Sequence, residues 1–263
     1  MEAITDNTIT QRTEAAEAVL DDERECLKDE QAAFTQFRKH VAGMDVHAPT
    51  PTATTRVKSA IMEASEATTS TAKIEQVRNA YRETVMSMPH YDEDYGQSLT
   101  DDIAEEFSPE LANALATADT LTPPLQETLL TGCQQATDGR TTLLSALDHE
   151  ADYLQHARDT LNKLNTTLTE MNQQPLGAWS STELRATDER LADFEAQCDD
   201  LAANRQAELR SQRIPGPSST DEDLNEYLYE SLPVTYPVLA DLAGFRSLLV
   251  TARQHLERAL ITQ

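Results

Sequence analysis

Leu20, Leu27, Phe34 and Val41 recur every seven residues near the start of the chain, the spacing at which side chains return to one face of a helix. Ala16, Phe37 and Met44 fall on the neighbouring row, so a helix is predicted from about Thr8 to Met44. Glu23 and Glu30 interrupt the seam, and Val19, Cys26 and Ala33 are expected to widen the apolar stripe beside them. Pro49 and Pro51 then stop any helix, because proline lacks the amide donor and clashes with the preceding turn. A second helix is predicted from about Thr55 to Met88. Val57, Ile61 and Ala64 lie on one face, and after a Thr-rich stretch the pattern resumes with Ile74, Val77, Tyr81, Val85 and Met88. Pro89 to Gly96 is expected to be a loop. Two short helices follow, one capped by Ser98 with Asp101 completing a capping box, the other by Ser108 with Pro109 in its first position.

The longest apolar pattern begins at Thr122–Pro123 and meets no stop signal before Gln173. Leu147, Leu154, Leu161 and Leu168 form one row; Leu129, Ala136, Leu143, Ala157, Leu164 and Met171 form the other. Arg140 and Glu150 are polar defects in this seam. A helix of that length gains too little from propensity alone and needs a partner along its length. Pro175-Leu176-Gly177 turns the chain, and Ser180 with Glu183 starts the next helix, to about Arg213, with Leu184, Leu191, Phe194, Cys198, Leu201 and Leu209 on its stripe. So short a connection predicts an antiparallel hairpin. After the Pro/Gly/Ser-rich linker 214–219 come a short helix and, past Pro233 and Pro237, a last helix carrying Leu242, Phe245, Leu249, Ala252, Leu256 and Ala259.

Strand-like alternation of β-branched and aromatic residues is missing. The expected fold class is therefore all-α: an elongated antiparallel helical bundle with coiled-coil-like long helices. Residues 1–48 are expected to form an N-terminal long helix, separated by the prolines and packing on a second copy or a partner. Residues 55–263 are expected to form the helical core, with the long hairpin over 122–213.

Charge changes the picture of the solvent. The formal net charge is -25, from 46 acidic against 21 basic residues. Such a chain repels itself in dilute buffer, and concentrated salt relieves this because the Debye length falls to roughly 3 Å at 1 M. A salt-loving origin is the expectation. No basic stripe is present for nucleic acid. No apolar run is long enough to span a bilayer, and the first residues carry no secretory pattern, so the expected location is cytoplasmic. Cys26, Cys133 and Cys198 are far apart and belong to no CxxC pair, so each is expected to behave as a small core residue.

Candidate chemistry is sparse. His90-Tyr91-Asp92-Glu93-Asp94-Tyr95-Gly96 offers an imidazole and several carboxylates beside a glycine, which makes His90, Asp92 and Asp94 the candidate metal ligands. The segment departs from a calcium loop, whose closing glutamate would fall at Ile103. His149, Asp152 and His156 share a helical face, but it lies opposite the leucine seam and points to water. No catalytic residue, metal or other cofactor is assigned. Six of the seven tyrosines (Tyr81, Tyr91, Tyr95, Tyr227, Tyr229 and Tyr236) fall in two proline-punctuated segments, at zones without Lys or Arg that run from Arg82 to Arg140 and from Arg213 to Arg246. They are the candidate partner or ligand surface, and the two segments are expected to meet where the long hairpins come together.

Those segments, Tyr81 to Gly96 (YRETVMSMPHYDEDYG) and Tyr227 to Leu239 (YLYESLPVTYPVL), resemble the two marker segments of an uncharacterised family of haloarchaeal all-helical proteins. The resemblance spans most of the chain. It implies an all-helical fold and a high-salt origin, and it carries over no activity and no site residue. The function expected from the whole sequence is a non-enzymatic interaction or scaffold protein, binding a protein partner or itself through its helical faces, with no nucleic acid and no membrane. One alternative is a metal- or small-molecule-binding protein, with enzymatic activity left open, centred on His90 to Asp94. Another is a regulatory sensor without its own DNA-binding part.

Overall fold

The seven-residue rows end up inside. In a computed structural model, which describes residues 9–46, 73–172, 179–211 and 224–262, Leu20, Phe34, Phe37, Val41, Leu147, Leu154 and Leu161 are all essentially inaccessible to solvent. The fold is all-α, and no strand occurs among the described residues. Helix α1 covers Gln11–Ala42, and α2 is the helical stretch 73–84. They are followed by α3 (Tyr91–Asp94), α4 (Leu99–Glu106), α5 (Pro109–Thr117), α6 (Pro123–Met171), α7 (Ser181–Ser211), α8 (Leu224–Leu228) and α9 (Pro237–Thr262). The first part of the second predicted helix, most of the first linker, the Pro175–Gly177 turn and the second linker lie outside the described residues. The segment expected to be a plain loop after Pro89 contains the short helix α3.

Caps set the helix starts as the sequence implied. The Ser98 hydroxyl accepts from the Asp101 amide at the start of α4. Ser108 does the same for Leu111, with Pro109 in the first turn. The capping box of α7 is reciprocal: the Glu183 amide donates to Ser180 Oγ, and the Ser180 amide donates to Glu183 Oε2 at 2.7 Å. These hydrogen bonds to its charged form hold the Glu183 carboxyl below its usual range.

The chain divides into two compact units, residues 24–145 and residues 1–23 with 146–263. Helices α1 and α6 each contribute to both. The boundaries fall between Glu23 and Arg24 inside α1 and between Ser145 and Ala146 inside α6. In the unit 24–145, α1 runs antiparallel to α6, since Glu30 pairs with Arg140 and Gln126 reaches back to the carbonyls of Val41 and Met44. Phe34 and Phe37 meet Tyr81 edge-on, with ring centroids 6.5 and 5.0 Å apart, and Phe107 closes on Phe34 at 5.9 Å. In the other unit, α6 and α7 are antiparallel, as the pairing of Glu150 with Arg205 and of Tyr153 with the Leu201 carbonyl requires. Helix α9 runs antiparallel to α7 through Arg246–Asp199 and Arg253–Asp188. The start of α1 is tied to α9 at a buried point, where Asp241 Oδ2 accepts from both the amide and the hydroxyl of Thr13 at 2.8 Å.

Two glycines of α6 test this packing in opposite directions. A β-carbon on Gly132 would stand 2.6 Å from the Phe107 ring, whereas one on Gly139 would meet nothing within 4 Å. Gly139→Ala is expected to stabilise by about 0.5–1 kcal/mol through helix propensity. Gly132→Ala carries the same propensity gain but must displace a packed ring, an overpacking cost of about 1–3 kcal/mol, and is expected to destabilise. Urea unfolding of the two variants checks the sign; equal shifts would mean that Phe107 does not lie against α6 as described.

Candidate functional site

Two of the polar defects in the apolar seams, Glu30 and Arg140, are paired with each other. Glu30, on the buried face of α1, accepts from Arg140 Nε at 2.6 Å and from the Tyr95 hydroxyl at 2.8 Å. Arg140 also forks onto Glu106, at 2.8 and 3.2 Å, and its guanidinium lies 4.4 Å from the centre of the Phe34 ring. Burial works against the charge of Arg140. The Glu106 and Glu30 carboxylates outweigh it and hold the guanidinium above its ordinary range. Burial, then the Glu30 carboxylate, pushes the Tyr95 phenol up.

The second unit repeats the chemistry with other residues. Glu150 accepts from both terminal nitrogens of Arg205, at 2.6 and 2.8 Å, and from the Tyr229 hydroxyl at 2.8 Å. Arg205 also donates to Asn225 Oδ1 and lies over the Tyr153 ring at 4.6 Å. Glu150, Arg205, Asn225 and Tyr229 are all fully buried. Burial and then Glu150 raise the Tyr229 phenol. Each tyrosine-rich segment thus delivers a hydroxyl to a buried glutamate that an arginine already neutralises.

This arrangement changes the reading of the tyrosines. Tyr81, Tyr91, Tyr95, Tyr227, Tyr229 and Tyr236 do not all face outward: Tyr81, Tyr91 and Tyr229 are buried, and Tyr227 and Tyr236 are exposed. The two segments enter different units, and each seals a helix junction in its own. Tyr81 donates to Asp102 at 2.5 Å. Burial raises the Asp102 carboxyl despite that hydrogen bond. A phenol has an apolar body and a polar tip, so it can fill a core while satisfying a carboxylate there.

One group of metal-ligating side chains is brought together near the same Glu30. Ligand atoms of Cys26, His90 and Asp94 all lie within 4.8 Å of one another. Cys26 stands one turn before Glu30 on α1. His90 is the N-cap of α3 and Asp94 its last residue, four positions on, so their side chains share a face. His90 Nε2 is buried and makes no hydrogen bond, and Glu30 Oε1 stands 3.4 Å from it. Of the candidate ligands, the structure keeps His90 and Asp94 together and leaves Asp92, which is exposed, outside the group. It adds Cys26. The other thiols are pushed up by burial, Cys133 to about 12 and Cys198 to about 11. His149 is exposed and pairs with Glu208, and Asp152 and His156 face solvent. A shallow apolar cleft lined by Leu168, Met171, Trp179, Leu191 and Leu256 opens between the ends of α6, α7 and α9.

The fold and these sites define an all-helical protein with two separate interior networks, each joining a glutamate, an arginine and a tyrosine hydroxyl. The chain belongs to the family described as a domain of unknown function, DUF7260, whose model matches residues 11–253. No curated protein and no solved structure matches it. No helix among the described residues is long and apolar enough to cross a membrane.

Proposed function

We propose that this chain is a non-enzymatic interaction or scaffold protein of a salt-rich cytoplasm. It binds a protein partner or a second copy through the outer, coiled-coil-like faces of its helices. The observation that carries this reading is an asymmetry between the units. The exposed large hydrophobic side chains among the described residues are Tyr227, Tyr236, Val250 and Ile261, and all four belong to the unit formed by residues 1–23 and 146–263. Tyr227 and Tyr236 are the aromatic members of that set, and aromatic side chains are enriched at protein interfaces. The -25 charge supports the high-salt setting, as does the resemblance of the tyrosine segments to haloarchaeal helical proteins.

Two measurements test the proposal. Thermal unfolding followed by circular dichroism should shift to higher temperature between low-salt buffer and multimolar KCl, because screening relieves like-charge repulsion; a flat or falling midpoint overturns the high-salt setting. Chemical cross-linking in cells, read by mass spectrometry, should give a defined species with the native chain. Tyr236→Ser combined with Val250→Ser should lose that species while remaining folded. Cross-links indifferent to the double substitution overturn the interaction reading.

A further inference from the structure

We propose that Cys26, His90 and Asp94 form a binding site for a borderline divalent transition ion, with zinc the best match. The site lies in the unit 24–145 and is independent of the contact surface proposed above. The donor set is the first argument. Thiolate, imidazole and carboxylate together suit zinc and its neighbours in the first transition row and are a poor set for calcium or magnesium, which take oxygen ligands.

Geometry is the second argument. Around a tetrahedral zinc, with bonds of about 2.0–2.3 Å, neighbouring donor atoms stand roughly 3.5 Å apart. The three donors here already lie within 4.8 Å of one another, so side-chain rotation of about an ångström would close the shell. They come from two short-range frameworks, α1 for Cys26 and the turn of α3 for His90 and Asp94. An ion would therefore tie α3 to α1. Asp94 is exposed, which leaves solvent access for the ion and for a water as fourth ligand.

The third argument is the state of His90. Its side chain is 12% exposed, its Nε2 has no hydrogen-bond partner, and Glu30 Oε1 stands 3.4 Å from that nitrogen. A buried ring nitrogen left in that condition is costly unless something engages the imidazole. Metal-bound histidines commonly present their second nitrogen to a carboxylate, which fixes the ring and raises its basicity. Glu30, itself fixed by Arg140 and Tyr95, serves in either case: it orients the ring if Nδ1 binds the ion, and it supplies a further oxygen if Nε2 does. Among the described residues, no other group of three such side chains brings its ligand atoms this close.

Cobalt(II) is the probe, added to the full chain in multimolar KCl so that loose cation binding to the acidic surface is screened. The expected result is one equivalent bound, with the near-ultraviolet thiolate-to-cobalt charge-transfer band and the visible bands of a tetrahedral ion; added zinc should displace it. Cys26→Ser should abolish the charge-transfer band. His90→Gln and Asp94→Asn should weaken binding by about 10–100-fold or more, and Asp92→Asn should bind like the native chain. Circular dichroism confirms that each variant is folded, and zinc should raise the unfolding midpoint of the native chain but not that of Cys26→Ser. A native chain that gives no thiolate band overturns the proposal, and so does a band that survives in folded Cys26→Ser.

Discussion

Replacing Arg205 by methionine is expected to cost about 3–5 kcal/mol of folding stability, measured by urea unfolding. The reason is what remains: Glu150 is fully buried and would keep its charge, or be forced to take up a proton, with only the Tyr229 hydroxyl and its surroundings to compensate. The pair itself is a different quantity from the cost of breaking it. Desolvating both ions offsets most of their attraction, so removing both together is far cheaper. The combination Glu150→Leu, Arg205→Met and Tyr229→Phe is expected to recover most of the loss. The pairs elsewhere give an internal scale. Arg140 and Glu30 are 13% and 7% exposed, so Arg140→Met should cost less than Arg205→Met. Arg253 and Asp188 are 31% and 33% exposed, and breaking that pair should cost under about 1 kcal/mol. If Arg205→Met falls in the same range as the Arg253 variant, Glu150 and Arg205 are not buried as described.

Deleting residues 1–48 is expected to abolish cooperative folding. The prolines at 49 and 51 suggest a detachable helix, but α1 supplies Leu20, Phe34, Phe37 and Val41, each at most 1% exposed. At roughly 1.5–3 kcal/mol per buried side chain, these four represent about 6–12 kcal/mol, comparable to the whole stability of a typical domain. Loss of Phe34 and Phe37 would uncover the rings of Tyr81 and Phe107, which they meet edge-on. The deletion would also leave Arg140 without Glu30 and Asp241 without Thr13. The measurement is urea unfolding with binding of a hydrophobic dye. A truncated chain that unfolds in one sharp transition and binds no dye would mean that α1 is an accessory, as the linker first implied.

The legible part of the candidate site was its polar irregularity. Glu30, Arg140 and Glu150 stand out because they break apolar rows, and His90 and Asp94 because histidine is scarce and carboxylates cluster there. Their partners were not legible. Arg205 lies on a helix crowded with charges, where nothing in the spacing separates a buried arginine from a solvated one. Cys26 sits beside the apolar stripe, where a cysteine passes for a small hydrophobe. The one available signal was its spacing of four from Glu30, which places a thiol and a carboxylate on the same face of α1. The tyrosines show the opposite failure. Their clustering is visible in the sequence, but their orientation follows from where a carboxylate waits in the core, and this divides buried Tyr229 from exposed Tyr227 two residues away.

What the sequence determined by itself was local. Helix periods of seven, caps at Ser98, Ser108 and Ser180, and stops at proline follow from backbone geometry and from hydrogen bonds within a few residues, so they can be read one segment at a time. The surface charge is likewise a sum over the chain. Only the tertiary structure decided that α1 belongs to both units, that Glu30 meets Arg140 while Glu150 meets Arg205, and that Cys26 comes to lie beside His90 and Asp94. These are contacts between residues 55 to 110 positions apart in the paired charges, and no local rule selects them. They are fixed by which burial arrangement leaves every charged group inside it with a partner, a condition that only the assembled core can impose.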